Sequence, residues 1–330
     1  MSIPILDTFG RTHTYLRISL TDKCNLRCSY CMPQEDMQFM PHRHLMQAEE
    51  IAYLAGVFVE MGVDKIRLTG GEPLVRQDFG TIIDSLGELP ATLTLTTNAI
   101  QIDRYLSAIQ AAGISSLNVS LDTLDAHKFK TITRRDQLQK TLDHIDLLLA
   151  EGLTVKINMV VMKGVNDDEV NEFVGLTLQN PRMQVRFIEF MPFNGNQWDM
   201  SKIVSYDSLL ETISQRYSFS RLPGELQDTA HLFQVKGGAG SFGIIGTVTH
   251  PFCSGCNRIR LTADGKLKNC LFDTTEVDLL GPLRAGADVK PLIYAHFRKK
   301  HFAHGGHGQF TAENAKDAYE TNRTMIAIGG

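Results

Sequence analysis

Over the first two thirds of the chain, short apolar runs alternate with amphipathic stretches. Runs rich in β-branched and apolar residues fall at 16–21 (LRISLT), 66–70 (IRLTG), 92–98 (TLTLTTN), 116–122 (SLNVSLD), 154–161 (TVKINMVV) and 184–190 (QVRFIEF), and each predicts a strand. Between them apolar residues recur at helical spacing: Ile51, Leu54, Ala55 and Phe58 in 47–62, Ile102, Tyr105, Leu106 and Ile109 in 102–112, and Leu138, Leu142, Ile145 and Leu149 in 137–150. Gly62, Gly113 and Gly152 follow these stretches, where C-cap glycines belong.

Such alternation predicts an α/β fold with a mainly parallel sheet and right-handed crossovers. Six strands fall short of a closed eight-stranded barrel, so a partial barrel or open sheet is expected, with its active site at the C-terminal ends of the strands. Polar groups gather at those ends: Thr21-Asp22-Lys23, Gly70-Gly71-Glu72-Pro73, Thr97-Asn98, and Ser120 with Asp122. Beyond a helix predicted at 205–217 the texture changes. Residues 218–330 are richer in Gly, His and short turns, with a glycine loop leading into a strand at 237–248 and a helix near the start of 290–302. A boundary near 220 divides a domain at 1–220 from one at 221–330.

The 330 residues are 43% hydrophobic and 21% charged, with a formal net charge of −4. This balance argues against bulk electrostatic binding to nucleic acid or an anionic membrane. An anionic ligand would need a local cluster of Arg and Lys. The first residues lack a basic segment followed by an apolar run, and no stretch reaches spanning length, so a cytoplasmic protein is expected.

All six cysteines fall into two groups of three: Cys24, Cys28 and Cys31, and Cys253, Cys256 and Cys270. In a reducing compartment such groups point to metal rather than disulfides. The first has C-x3-C-x2-C spacing directly after a strand. Three thiolates leave one iron of a cluster open to a ligand, whereas a structural zinc site needs a fourth donor, such as His13 or His42. The second has C-x2-C-x13-C spacing and encloses Arg258 and Arg260. Strand alternation turns both guanidiniums to one face, where they would form an anion pocket beside an open iron.

CNLRCSYC (24–31), with Tyr30 before the last cysteine, resembles the signature of the radical S-adenosylmethionine (SAM) superfamily, and GGEP (70–73) resembles the motif that superfamily uses for the amino group of SAM. Six strands match its partial (β/α)6 TIM-like barrel. FCSGCNRIRLTADGKLKNCL (252–271), with LRISLTDKCNLRCSYCMP (16–33), KIRLTGGEPLVR (65–76), LNVSLDTL (117–124), VRFIEFMP (185–192) and Gly329-Gly330, resembles the GTP 3′,8-cyclase family of molybdenum cofactor biosynthesis nearly end to end.

The resemblance implies two 4Fe–4S clusters, one on each cysteine triad, the second in a C-terminal extension of the barrel. It implies SAM contacts at Tyr30, Gly71, Ser120 and Met191, and GTP contacts at Arg17, Arg67, Thr97, Lys156, Arg258 and Arg260, with Lys65 and Arg186 from the same basic set. Arg17, Arg258, Arg260, Gly329 and Gly330 would serve catalysis, the glycine pair by entering the pocket. A 5′-deoxyadenosyl radical would take the ribose 3′ hydrogen of GTP, and the sugar radical would close onto C8 of guanine. The resemblance also implies a flavodoxin- or ferredoxin-like electron donor, a following enzyme that receives the product, no nucleic acid or membrane partner, and a monomer or homodimer.

The chain departs from the family pattern at Ala99, where Gly is usual, and at Asn269, where Pro is frequent. Gly238–Gly243 spells G-x-G-x-x-G, but it leads into a strand and so reads as a loop rather than a nucleotide fingerprint. His301, His304 and His307 read as a solvated basic loop. Two other readings compete with the cyclase: a twin-cluster peptide-modifying enzyme, which usually carries more C-terminal cysteines, and a zinc-stabilised binding protein.

Overall fold

The computed structural model describes residues 3–34, 36–308, 310–311 and 322–329. The six expected strands form as β1 (Tyr15–Ser19), β2 (Lys65–Thr69), β3 (Thr92–Thr97), β4 (Ser116–Ser120), β5 (Thr154–Val161) and β6 (Met183–Glu189). They pair in sequence order, all parallel. Helices α1 (Ala48–Glu60), α2 (Phe79–Gly87), α3 (Leu106–Ala111), α4 (Ala126–Thr133), α5 (Leu138–Ala150) and α6 (Val170–Gly175) lie in the crossovers. Ile51, Leu54, Ala55 and Phe58 bury one face of α1 as their spacing predicts. The helix expected over 102–112 divides into a 3-10 turn, Ile102–Arg104, and α3. Gly62, Gly113 and Gly152 adopt left-handed φ of 97°, 74° and 78°, as caps require.

Among the described residues the region after 220 does not build a separate sheet. Helix α7 (Tyr206–Ser214) is followed by β7 (Phe219–Arg221), β8 (His231–Val235), β9 (Ser241–Ile245), β10 (Arg258–Leu261), β11 (Lys266–Lys268) and β12 (Val277–Asp278). Strand β9 joins β6 and β10 joins β1, both parallel, so the six-stranded unit is extended on both edges. The order is β12-β11-β10-β1-β2-β3-β4-β5-β6-β9-β8-β7. Among the described residues β9 and β10 do not pair with each other, so the barrel stays open. Gly240 locks the β9 edge. A Cβ there would sit 2.3 Å from the Met183 carbonyl oxygen and 2.6 Å from that of Asn180. The G-x-G-x-x-G stretch thus serves a strand. Helices α8 (Leu280–Arg284), α9 (Lys290–Phe297) and α10 (Met325–Ile328) follow among the described residues. No helix among the described residues is long and apolar enough to cross a membrane.

Side-chain alternation gives the sheet two unlike faces. Leu16, Ile18, Leu20, Ile66, Leu68, Leu117, Val119, Val155 and Ile157 are buried in the main core. The opposite positions, including Tyr15, Arg17, Arg67, Asn118, Ser120, Lys156 and Arg186, line a cavity. A second, smaller core joins Phe190, Phe193, Trp198, Phe272, Phe310 and Ile328.

At the C-terminal ends of β2 and β3 the turns are tied together by Glu72. Its buried carboxylate accepts from Leu74 N (3.1 Å), Thr97 Oγ1 (2.7 Å) and Asn98 N (2.7 Å). Ala99 follows with φ of 62°, and its carbonyl meets His144 Nδ1 at 2.6 Å. The preference for Gly at this position therefore has a backbone cause: a Cβ is strained in the left-handed region.

Two predictions follow from this corner. Ala99→Gly should stabilise the protein by about 1 kcal/mol in urea unfolding, whereas a loss of stability would contradict a strained Ala99. Burial pushes the Glu72 carboxyl from 4.5 up to about 7, against the three donors. The folded state then binds its proton more tightly than the unfolded chain. Its contribution to stability is complete below about pH 4.5 and lost as pH rises towards 7. Glu72→Gln should reduce this loss by about 3 kcal/mol between those pH values, measured by unfolding of the metal-free protein. An unchanged pH slope would contradict it.

Candidate active site

The two cysteine triads lie at opposite ends of the parallel strands. Cys24, Cys28 and Cys31 occupy the loop that leaves the C-terminal end of β1. Cys253 and Cys256 come just before β10, which runs parallel to β1, and Cys270 comes just after the antiparallel β11. The second triad therefore sits at the end where β1 begins. One cavity of about 590 Å³ is lined by all six cysteines. The length of β1 between the two ends is about 13 Å.

In the first triad, Cys31 N and Met32 N both donate to the Cys28 carbonyl, at 3.0 and 2.8 Å, which curls the loop. Leu26 N donates to Cys24 Sγ at 3.4 Å. Burial pushes the thiols of Cys24 and Cys31 up to about 12, reinforced by Glu72 at the first and by Cys24 and Asp122 at the second. Such buried thiols give up their protons to a metal that supplies the missing positive charge. Among the described residues no three His, Cys, Asp or Glu side chains are arranged to hold a single metal ion. The donors considered for zinc are elsewhere: His13 is buried against Asp7 at 3.1 Å and Phe297, and His42 is exposed in a 3-10 turn. Three thiols spaced around a cavity fit a cluster with one open iron.

All four residues expected at SAM line the cavity. Tyr30 donates to Asp122 Oδ2 at 2.7 Å, and Val160 N donates to Oδ1 at 2.9 Å. Burial raises Asp122 to about 6. A Cβ on Gly71 would lie 2.4 Å from the Lys23 carbonyl oxygen, so Gly71 lets the 70–73 turn close on the cysteine loop.

Between the triads the cations stand in rows. Register aligns Arg260, Arg17 and Arg67 across β10, β1 and β2, with Arg258, Tyr15 and Lys65 in a parallel row two residues earlier. Lys156 and Arg186 face them from β5 and β6. None of these seven cations pairs with a carboxylate among the described residues. Burial, reinforced by cationic neighbours, lowers Lys156 to about 8 and Arg186 and Arg260 to about 10, and Arg17 is lowered too. Arg17 Nε, Asn118 Oδ1 and Asn158 Oδ1 are buried without a partner. Arg258 donates to the Gln227 carbonyl at 2.7 Å and lies over Phe252. The arrangement is built to take a polyanion.

Thr97, expected on the substrate, lines the cavity and bonds its hydroxyl to Glu72 and Ala99 N. Thr96 beside it also lines the cavity and accepts from Arg67 Nη1 at 3.3 Å. His304 is not solvated as expected. It is buried, its ring nitrogens meet the Gly308 and Thr247 carbonyl oxygens, and it lines the cavity. Sequence reasoning also missed Tyr15 as a site residue. Its ring lies under Lys65 and Arg67, and its hydroxyl bonds to Arg67 Nε. The alternation Tyr15-Leu16-Arg17 carries the signal that would have found it. Against the upward push of burial, Arg67 and Arg17 bring that hydroxyl down to about 8.

Gly329 reaches the same cavity wall. Arg260 Nη1 donates to its carbonyl at 3.1 Å, and a Cβ there would meet Ser19 Cβ at 2.6 Å. Upstream, Arg323 forks onto Asp264 (2.9 and 3.0 Å) and reaches Glu276 (2.6 Å), while Ile326 and Ile328 are buried. Gly330 lies outside the described residues.

Residues 18–177 match the Radical SAM superfamily and residues 183–305 match Molybdenum Cofactor Synthesis C. The mitochondrial GTP 3′,8-cyclase of Arabidopsis thaliana is 46% identical over 99% of this chain and 83% of that protein. The GTP 3′,8-cyclase of Peptoclostridium acidaminophilum is 41% identical over 99% and 98%. Molybdenum cofactor biosynthesis protein 1 of Mus musculus is 47% identical over 98% of this chain, which spans about half (51%) of that relative's length. Among solved structures, Streptococcus suis SuiB bound to S-adenosylmethionine superposes with a TM-score of 0.61 at 16% identity, over 98% of this chain and 78% of that one, and so shares its fold. Matched nearly end to end by the plant and bacterial cyclases, this chain belongs to the GTP 3′,8-cyclase family of the radical SAM superfamily.

Proposed function

We propose that the protein converts GTP into (8S)-3′,8-cyclo-7,8-dihydroguanosine 5′-triphosphate, with Cys24, Cys28 and Cys31 holding one 4Fe–4S cluster and Cys253, Cys256 and Cys270 a second. The observation that carries this reading is a single cavity with a cysteine triad at each end and unpaired cations between. When bound, the first cluster supplies the electron that splits SAM into methionine and a 5′-deoxyadenosyl radical, and the second supplies an open iron for the guanine edge.

The chain's own residues bind and orient. Arg17, Arg67, Arg260 and Lys156 offer the triphosphate counter-charges that the protein itself leaves unpaired. Tyr30, held by Asp122, and Ser120, on the inner face of β4, flank the SAM end, with Gly71 and Met191. Holding the ribose 3′ carbon near that end and the base near the other lets one bound nucleotide meet both reactants. Gly329 offers backbone rather than a side chain at the cavity wall, so it packs close to the ligand without filling its space, and Gly330 after it adds no side chain in the sequence. A flavodoxin- or ferredoxin-like donor and a following enzyme that takes the product complete the scheme.

Anaerobic protein given iron, sulfide, SAM and a strong reductant should form 5′-deoxyadenosine only when GTP is present. Formation independent of GTP would overturn the substrate. Arg17→Met should weaken GTP binding about 10- to 100-fold in equilibrium dialysis. It should leave folding stability equal or higher, because it removes a buried cation without a protein partner. Unchanged affinity would remove Arg17 from the site. Deleting Gly329 and Gly330 should lower turnover about 100-fold with iron content intact, and unchanged turnover would exclude a role for the pair.

A further inference from the structure

Lys300, just beyond α9, is 4% exposed. Its Nζ lies 3.7 Å from Cys256 Sγ and 3.3 Å from the Arg258 carbonyl oxygen, over the face of Phe297. No carboxylate pairs with it among the described residues. A buried ammonium is costly without a counter-charge, and a carbonyl does not supply one. Among its contacts with the described residues, the sulfur of Cys256 is the one that can become an anion.

The two triads differ in this respect. Carboxyl groups stand near the first, Glu72 towards Cys24 and Asp122 towards Cys28 and Cys31, with Arg27 on the Cys24 carbonyl as a cation beside them. Cations stand near the second: Lys300, Arg258 and Arg11, whose Nη1 donates to the Cys253 carbonyl at 2.6 Å. Lys300 is not among the residues lining the cavity. It addresses the sulfur from behind the wall and leaves the substrate side free.

We propose that Lys300 is a positioning residue for the second cluster: its ammonium donates to the Cys256 sulfur and holds the reduction potential of that cluster above the value it would otherwise have. The inference rests on the reading that the second triad binds a cluster. Hydrogen bonds to cluster sulfurs and nearby positive charge both stabilise the reduced, more negative state. The same charge draws electron density from the iron–thiolate bond, so the open iron binds a base nitrogen or oxygen more firmly.

The test uses the full chain with Cys24, Cys28 and Cys31 replaced by Ala, so that the second cluster alone gives a signal. Iron analysis of this parent should return about four irons, and an iron-free parent overturns the cluster reading and this inference with it. Electron paramagnetic resonance during reductive titration then gives midpoint potentials for the parent, Lys300→Met and Lys300→Arg. The expected result is a lower midpoint in Lys300→Met, with Lys300→Arg close to the parent. Iron lost from Lys300→Met but kept in Lys300→Arg also supports the inference, since charge is then needed to retain the cluster. A midpoint unchanged in Lys300→Met, equal shifts in both variants, or iron lost from both would overturn it.

Discussion

The rest of the structure depends on the mutual repulsion of cations that face one another across the inner surface of the sheet. Arg17, Arg67, Arg258, Arg260, Lys65, Lys156 and Arg186 line one cavity without a carboxylate partner among the described residues. In a medium of low dielectric such a set costs folding free energy. The apolar outer face of the same strands offsets it, where Leu16, Ile18, Ile66 and Leu117 are buried against the helices. What the protein gains is affinity for a ligand that carries the missing negative charge. Period-two alternation makes both possible, since successive residues of a strand face opposite sides of the sheet, mostly apolar on one and mostly polar on the other.

Much of this was legible in the chain. The six central strands, the helices α1, α5 and α7, the cap glycines and both triads follow from local pattern and spacing. The shared face of Arg258 and Arg260 also follows, because their strand forms as alternation requires. What was not legible depends on direction and long-range pairing. RIRL and SFGII read as strands, but nothing local says that β10 runs parallel beside β1 or β9 beside β6. That pairing carries the second triad and two arginines to the same cavity as the first triad. It is also why residue 220 marks a change of texture rather than a break in the sheet. His304 shows the limit of motif reading at a single residue, because it is buried and fixed between backbone carbonyls.

Ala99 and Glu72 show how tightly the polar ends of the strands are built. A left-handed alanine and a buried carboxylate are each unfavourable alone. Together they set the turn that faces the first cysteine loop, with Asn98 Nδ2 reaching Asn25 at 2.7 Å. Strain and desolvation are thus concentrated where the chain must hold a reactive centre at a fixed place.

The central claim is that one bound nucleotide spans the cavity, its sugar near the first triad and its base near the second. GTP carrying deuterium at the ribose 3′ carbon tests this most directly. Mass spectrometry of the 5′-deoxyadenosine formed in a single turnover should find that deuterium in the nucleoside product. Unlabelled 5′-deoxyadenosine formed from such GTP would contradict the account.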